Sequence, residues 1–344
     1  MADKKLVGEN YSTPELRAKV TGRSRYAEDF RAEGMLFTRL VLSPYAHARI
    51  KSLDLSAALA TPGVKEILKP DDVPGPKDQI NDNGQVIRAN PRSETALSSE
   101  AMYQGQPVLA VCAISEAVAV EAIELIKIRW EPLPFNVDPV ASLVPGAQNP
   151  RVEGNVWKRP VPVQGQPPGV PEPIDVKWTD PEWKLGDVEE GFKKAALIVD
   201  ETFITANVSH QCLESRTAMA YWQNGKLHIH TSTQGVAQAV FSFVRWLELK
   251  PEDIVLVNEY TGGGYGSKGG GSITDIIPAL LSKKLNGAPV MMRISREEEH
   301  AIGRARPIMC SSSRLMRIIT GAPPSFLESS AGMMSVIEPP PFEP

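Results

Sequence analysis

The amino-acid sequence predicts a protein of the α+β and α/β classes with two successive domains. Short apolar runs rich in β-forming residues alternate with amphipathic helical segments, which is typical of packed layers of sheet and helix. A proline-rich stretch at residues 145–183 divides these segments into two groups. The chain has 344 residues, of which 42% are hydrophobic and 23% charged. That length and composition are typical of a globular protein with two or three domains.

Charge, apolar runs and cysteine spacing exclude several classes of function. The formal net charge is −4 with mixed signs along the chain, so the basic stripe of a nucleic-acid-binding protein is missing. The first residues contain no apolar signal segment, and the most apolar run, residues 108–114, is too short to span a bilayer. Cys112, Cys212 and Cys310 stand singly, which excludes a disulfide framework and zinc or iron–sulfur spacing. We therefore expect a cytoplasmic protein with buried cysteines that binds neither membrane nor nucleic acid.

Residues 20–140 predict a compact α+β unit. A helix is expected to begin after Ser115, whose hydroxyl can cap it, with Val118, Ala122 and Leu125 on one face. The strands of this unit are predicted at residues 35–42, 63–68 and 106–114, and its helical segments at residues 56–60 and 115–126.

The chain beyond this unit begins with an extended connector. Residues 145–183 carry many prolines, which cannot occupy central strands or helix interiors. From about residue 184 a second α/β region follows, and Asp187 is placed to cap its first helix. Its helices are predicted at residues 187–196, 236–247 and 275–285, and its strands at residues 197–205, 217–222, 226–231, 254–257 and 290–295.

A glycine-rich loop follows the predicted strand at residues 254–257. Seven of the ten residues from Gly262 to Gly271 are glycine, and successive backbone N–H groups in such a turn can form an anion-binding concavity. The loop is not a P-loop, because Ser267 precedes Lys268 and Gly269 follows it. It comes too late in the chain for a dinucleotide fingerprint. Taken alone, the loop favours the interpretation as a flexible surface turn.

Short collinear segments around this loop carry a family resemblance. They lie at residues 22–29, 42–50, 59–64, 103–108, 130–134, 186–192, 210–214, 232–235 and 262–266. The chain resembles the molybdopterin-binding large subunit of the xanthine dehydrogenase/aldehyde oxidase family, the molybdenum hydroxylases, in its N-terminal portion only. The resemblance implies an a/b hammerhead domain followed by a partial molybdopterin-binding domain of mixed sheets and helices.

The resemblance divides the chain into five parts. We expect an N-terminal arm (1–19), the a/b hammerhead domain (20–144), the proline-rich connector (145–183), the first molybdopterin-binding domain in part (184–307) and a divergent, disordered tail (308–344). Large subunits of the family continue far beyond the matched region, so the chain is expected to be incomplete as it stands.

The resemblance also implies a cofactor site. The cofactor is a molybdenum-pyranopterin, as Mo-molybdopterin or its cytosine dinucleotide form, and its own sulfurs hold the metal, so no direct metal ligand is expected. Gln234 matches a family glutamine whose amide N–H lies by the metal's oxo ligand. Gly264, Tyr265 and Gly266 match the stretch that approaches the cofactor, with Tyr265 in place of phenylalanine. Gly269 stands where many members have a substrate-contacting glutamate, which disfavours a purine pocket.

The implied reaction is the hydroxylation of an aldehyde or N-heterocycle with oxygen derived from water. The glutamate that acts as general base in the family has no counterpart in this sequence, so no catalytic residue is assigned. Electrons are expected to leave through a 2Fe-2S subunit and an FAD subunit of a heteromeric complex. The alternatives are a non-catalytic truncated remnant, an assembly or binding module, or a split subunit completed by a separately encoded C-terminal half.

Other polar residues receive structural interpretations. His228 and His230 alternate on one strand, but no third ligand accompanies them, so a metal site is not predicted. His210 and Glu214 are expected to form a buried architectural pair. The acidic run at residues 297–299 is expected to be a solvated face beside Arg296. Lys268 either neutralises cofactor charge or lies at the surface.

Overall fold

The computed structural model describes residues 15–74, 96–137, 187–203, 209–269 and 273–302, four positions between residues 8 and 13, and short strands at 79–80, 86–87, 160–161, 177–178 and 314–320. Most of the predicted connector and tail, and Cys310, lie outside these residues. The described parts of residues 1–77, 89–133 and 209–306 form one compact unit, and those of residues 78–88, 134–208 and 307–344 form another. None of the helices within the described ranges has the length and apolarity to cross a membrane.

Helices and strands alternate along the described chain. The helices are α1 (Leu16–Val20), α2 (Ser56–Ala60), α3 (Glu116–Glu124), α4 (Val188–Lys194), α5 (Val236–Leu247), α6 (Ile273–Lys284) and α7 (Arg296–Ile302). The longer strands are β1 (Leu36–Leu42), β2 (Ala48–Asp54), β3 (Val64–Leu68), β7 (Pro107–Ala113), β8 (Lys127–Pro132), β11 (Leu197–Phe203), β12 (Thr217–Gln223), β13 (Lys226–Thr231), β14 (Ile254–Val257), β15 (Val290–Arg293) and β16 (Arg314–Thr320). The two-residue strands are β4 (Gln79–Ile80), β5 (Val86–Ile87), β6 (Glu100–Ala101), β9 (Pro160–Val161) and β10 (Lys177–Trp178).

A seven-stranded mixed sheet organises the first unit. Its strand order is β14-β13-β12-β15-β1-β7-β3, and a three-stranded sheet of order β6-β2-β8 completes the unit. β1 pairs antiparallel with β7 and parallel with β15, with Thr38 opposite Met292. Strands from both sides of the proline-rich stretch therefore share one sheet.

Two hydrophobic clusters lie against this sheet. One joins α5 and α6 to the sheet through Phe243, Ile277 and Leu281. The other joins α3 to β7, whose seven residues are all buried, as expected for a strand covered on both faces. Ala119 and Ala122 form the buried face of α3. Leu125, predicted on that face, is 45% exposed and lies at the C-cap, after the last residue of the helix.

The second unit contains smaller elements. Asp187 caps α4 as predicted, since its side chain accepts a hydrogen bond of 2.9 Å from the Glu190 N–H. β11 pairs antiparallel with β16, and Leu197 lies opposite Thr320. β16 falls within the segment predicted to be a disordered tail, and is a regular element that the sequence pattern did not indicate. Its apolar and charged residues form a strand once β11 supplies the hydrogen-bonding partner.

The N-cap of α3 gives a stability prediction. The Ser115 hydroxyl accepts a hydrogen bond of 3.2 Å from the Val118 N–H. Replacing Ser115 with Ala leaves that N–H without its partner and should lower the free energy of unfolding by about 1 kcal/mol. Urea denaturation measures the change, with Glu124→Ala at the exposed end of the same helix as control. An unchanged denaturation midpoint for Ser115→Ala would show that the cap does not contribute to the free energy of unfolding.

Cys112 on β7 gives a prediction of pH dependence. Burial raises the pKa of its thiol to about 12, and the side chain is fully buried. The unfolded thiol ionises near its ordinary pKa of about 8.5, so stability is unaffected below that pH and falls progressively as pH rises toward about 12. Denaturation midpoints from pH 8 upward should fall less for Cys112→Ala than for the wild type. Equal slopes would contradict the expectation.

Candidate functional site

The glycine-rich loop, residues 261–269, lies beside the segment that precedes α5, residues 232–235. Thr261 Oγ1 donates to the carbonyl of Thr233 at 3.2 Å, and Asn258 Nδ2 donates to the same carbonyl. At the other end of the loop, the carbonyl of Lys268 accepts from the Gln234 N–H at 2.9 Å and from Thr233 Oγ1 at 3.1 Å. Both ends of the loop are therefore bound to the segment that carries Gln234.

The side chain of Gln234 is held against the loop by its carbonyl group. The Gly266 N–H donates to Gln234 Oε1 at 3.2 Å. A backbone N–H can only donate, so the atom facing it must be the amide oxygen, however the amide is assigned. The NH2 group therefore points away from the Gly266 N–H, on a side chain that is exposed. The arrangement leaves an amide donor available to a ligand.

Gly264 makes this contact possible. A Cβ at this position would lie 1.9 Å from Gln234 Oε1 and 2.7 Å from its Cδ, well inside van der Waals contact. The next two residues turn the chain sharply, with φ of +50° at Tyr265 and +96° at Gly266. Positive φ is uncommon for a residue with a side chain, and the ring of Tyr265 is 77% exposed. The turn thus exposes the side chain of Tyr265, while the flanking glycines expose only backbone.

A buried ion pair lies under the loop. Lys268 is 2% exposed, and its Nζ donates to Glu214 Oε2 at 2.8 Å and to the Glu214 carbonyl at 2.9 Å. Lys268 is therefore not a surface lysine, which was one of the two predicted alternatives. Glu214 is buried as predicted, but the partners of its Oε2 are Lys268 and the N–H of Gly262 rather than His210.

A second buried ion pair corrects the prediction for the acidic run of α7. Only Glu297 is exposed, whereas Glu298 and Glu299 are each 5% exposed. Arg216 lies 3.5 Å from Glu299 and donates to the Ser267 carbonyl at 2.6 Å. The helix buries these carboxylates because guanidinium groups reach them. The sequence did not single out Arg216; the one signal was a charged residue immediately before the buried strand β12.

The two histidines of β13 pack against aromatic rings. His230 lies 4.1 Å from Phe30 and His228 stacks on Tyr221 at 4.8 Å, measured between ring centroids. Burial lowers the pKa of His230 below its ordinary value, so the ring is neutral near pH 7. In the part of the chain that the structure covers, no three His, Cys, Asp or Glu side chains lie together as a metal site.

A cavity of about 590 Å³ opens beside the loop. Gly262, Gly263 and Tyr265 line one part of it, and Tyr26 and Leu213 line another. Gly269, at the end of the loop, lies against the start of α5, where a Cβ on Gly235 would be 3.0 Å from the Gly269 carbonyl. Because residue 269 is glycine, it has no side chain that could contact a ligand.

The donor set of the loop fits an anionic or oxygen-rich group. Within the described ranges, the backbone N–H groups of Gly263, Gly264 and Tyr265 have no acceptor, and the NH2 group of Gln234 faces outward. Uncapped N–H groups in a tight turn favour negative charge. Gly264 in addition allows backbone and Gln234 to approach one another closely. The predicted residues Gln234, Gly264, Tyr265 and Gly266 thus lie together.

Family models match most of the chain. A model described as the aldehyde oxidase and xanthine dehydrogenase a/b hammerhead domain matches residues 21–134. A model described as the molybdopterin cofactor-binding domain matches residues 171–315. The second match extends a few residues past 307, where the resemblance was predicted to stop.

Individual relatives agree with these models. The chain is 29% identical over 294 residues to a probable xanthine dehydrogenase subunit of Bacillus subtilis, covering 85% of this chain and 35% of the relative. It is 29% identical to an aldehyde oxidoreductase of Megalodesulfovibrio gigas, covering 89% and 32%. The crystal structure of quinoline 2-oxidoreductase from Pseudomonas putida 86 aligns with a TM-score of 0.66 at 27% identity, covering 83% and 34%.

The chain spans about a third of the length of these relatives. The matched regions include most of the first unit, with the strands before residue 134 and the strands that carry the loop. The chain therefore belongs to the xanthine dehydrogenase/aldehyde oxidase family of molybdenum hydroxylases and corresponds to a part of its molybdopterin-binding large subunit.

Proposed function

We propose that this chain supplies a molybdenum-cofactor site for the hydroxylation of an aldehyde or N-heterocycle with oxygen derived from water. The observation that carries the proposal is the contact between Gln234 and the loop. The Gly266 N–H fixes the amide oxygen, and Gly264 leaves room for it. The relatives named above, an aldehyde oxidoreductase and a quinoline oxidoreductase, support this substrate class.

The cofactor in this proposal is a molybdenum-pyranopterin, as Mo-molybdopterin or its cytosine dinucleotide form. When bound, it supplies the two-electron redox chemistry that side chains lack. The chain's own contribution is position and electrostatics. The NH2 group of Gln234 donates a hydrogen bond toward the cofactor, and the N–H groups of Gly264 and Tyr265 offer further donors. Such preorganised donors stabilise negative charge without rearranging.

Substrate contacts and proton transfer come from elsewhere in this proposal. Gly269 offers no carboxylate to a substrate, which disfavours purines. The glutamate general base belongs to the part of the large subunit that this chain does not span. Partner subunits with 2Fe-2S and FAD groups would supply the electron-transfer path, in a cytoplasmic complex. The Bacillus subtilis relative is likewise described as one subunit of its enzyme.

Cofactor content tests the proposal directly. The full chain is purified from cells that make molybdopterin, and molybdenum and oxidised pterin are measured per chain, with and without the partner subunits. We expect stoichiometric molybdenum and pterin, and a large loss in Gln234→Ala. Cofactor only when a C-terminal half is added would favour a split subunit. No cofactor under any of these conditions would contradict the proposal and favour a non-catalytic remnant or an assembly module.

A further inference from the structure

The segment at residues 212–216 lies beneath the loop and is bonded to both of its ends. At the start of the loop, the Glu214 N–H donates to the Gly262 carbonyl at 3.2 Å, and the Gly262 N–H donates to Glu214 Oε2 at 2.7 Å. These two bonds are reciprocal, so they set both the distance and the orientation of Gly262. A Cβ on Gly262 would lie 2.5 Å from the Cβ of Glu214, so the close approach requires glycine.

At the end of the loop, the same carboxylate oxygen accepts a hydrogen bond from Lys268. The Lys268 side chain is 1% exposed and that of Glu214 is 5% exposed. Charges this deeply buried are held in place, because each would be costly without its partner. Glu214 Oε2 therefore joins Gly262 to Lys268 and closes the loop into a ring.

The position of Lys268 is transmitted to Gln234. The Lys268 carbonyl accepts from the Gln234 N–H at 2.9 Å, and Gln234 Oε1 accepts from the Gly266 N–H at 3.2 Å. A chain of direct hydrogen bonds thus leads from Glu214 through Lys268 to Gln234 and back to the loop. A displacement of Lys268 would move the amide that is proposed to face the cofactor.

The segment beneath the loop is itself anchored. Arg296 of α7 donates to the carbonyls of Cys212 and Leu213, and Arg216 donates to the Ser267 carbonyl at 2.6 Å. The segment that carries Glu214 is therefore held in place by these hydrogen bonds. The outer face of the loop is free to meet a ligand while its inner face is tied down.

We propose that Glu214 is a positioning residue that sets the geometry of the cofactor-facing loop and of Gln234. Its effect on the cofactor rests on the proposed function, but its effect on the loop does not. In this proposal Lys268 has the same positioning role. Its ammonium group holds the loop through Glu214 and does not neutralise cofactor charge. The requirement is for an acceptor at Oε2, because that atom makes both bonds.

Three variants test this requirement. Glu214→Ala removes the acceptor. Glu214→Gln keeps an oxygen at the Oε2 position, so both hydrogen bonds can still form. It removes the charge that compensates Lys268 and places an NH2 group at Oε1, which is buried with no partner among the described residues. Glu131→Ala, which removes a carboxylate 3.2 Å from Lys51 on the other sheet, is the matched control. The readouts are amide hydrogen exchange of the peptide at 258–269, with Pro107–Ala113 of β7 as internal reference, and molybdenum and pterin retained after gel filtration.

For Glu214→Ala we expect exchange of the loop peptide to rise about tenfold and cofactor retention to fall about tenfold, as for the loss of a hydrogen bond to a charged group. Glu214→Gln keeps the acceptor without the charge, so it should change less than Glu214→Ala in both readouts, and Glu131→Ala should change neither. If Glu214→Ala does not fold, Lys268→Met is measured in its place with the same expectations. An unchanged loop peptide, or exchange that rises equally in β7, would overturn the proposal. Loop exchange that responds in a chain without cofactor would keep the positioning role and reject the proposed function.

Discussion

Replacing Gly264 with Ala is expected to abolish cofactor retention while the fold persists. The new Cβ would lie 1.9 Å from Gln234 Oε1, so the Gln234 side chain must leave the Gly266 N–H. Losing a hydrogen bond to a charged group costs about 1.5–3 kcal/mol, roughly 10- to 100-fold, and we expect molybdenum and pterin per chain to fall by about that factor. The free energy of unfolding should change little, because the atoms that must move are the end of an exposed side chain. Metal analysis, pterin fluorescence and urea denaturation provide these values.

A double variant separates the clash from the function. In Gly264→Ala/Gln234→Ala the colliding side chain is absent, so the loop can keep its wild-type backbone. Cofactor retention should stay low, because the amide donor is absent as well. Full retention in the single or the double variant would mean that Gln234 does not contact the cofactor.

Replacing Arg216 with Met is expected to give the largest loss of stability. The guanidinium of Arg216 lies 3.5 Å from Glu299, and both side chains are almost fully buried. Without Arg216 the carboxylate is left uncompensated in the interior, which typically costs about 3–5 kcal/mol. The Ser267 carbonyl loses its donor in addition, so the loop should loosen. Urea denaturation of the variant measures the change.

The partner of Arg216 supplies the control. In Arg216→Met/Glu299→Gln the buried charge is removed together with its partner, and most of the lost stability should return. Lys51→Met, at an exposed pair with Glu131, should have little effect because water screens that pair. Equal losses of stability in Arg216→Met and Lys51→Met would contradict the prediction that the buried ion pair matters more than the exposed one.

Local patterns were sufficient to predict most elements. α3 and α4 begin at residues with capping side chains, and β7 and β14 are short apolar runs, so each was predicted within about two residues of its observed bounds. β2 and β8 were not predicted. β2 carries charged residues and is only partly buried. It is a strand because β8 and β6 pair with it, across a register shift between Ile50 and Ser52, and pairing between distant segments has no local signal.

Only the exposed residues of the candidate site, the loop and Gln234, were predicted as site residues from the sequence. Glycine content and family resemblance predicted that the loop and Gln234 contact the cofactor. In the buried half, Glu214 was predicted to be buried but with His210 as its partner, Lys268 was not predicted to be buried, and Arg216 was missed. A charged residue is predicted to lie at the surface unless its ion-pair partner is known. The partners in these two ion pairs come from segments far apart in the chain.

The sequence by itself determined the family, the order of most helices and strands, and the identity of the loop that is proposed to meet the cofactor. These properties depend on residue type and order, which a linear pattern contains. The tertiary structure decided that strands from both sides of the connector share one sheet, that Glu214 and Lys268 close the loop from beneath, and that the Gln234 oxygen faces Gly266. Those properties depend on distances between remote segments, because hydrogen bonds and buried ion pairs form only at contact.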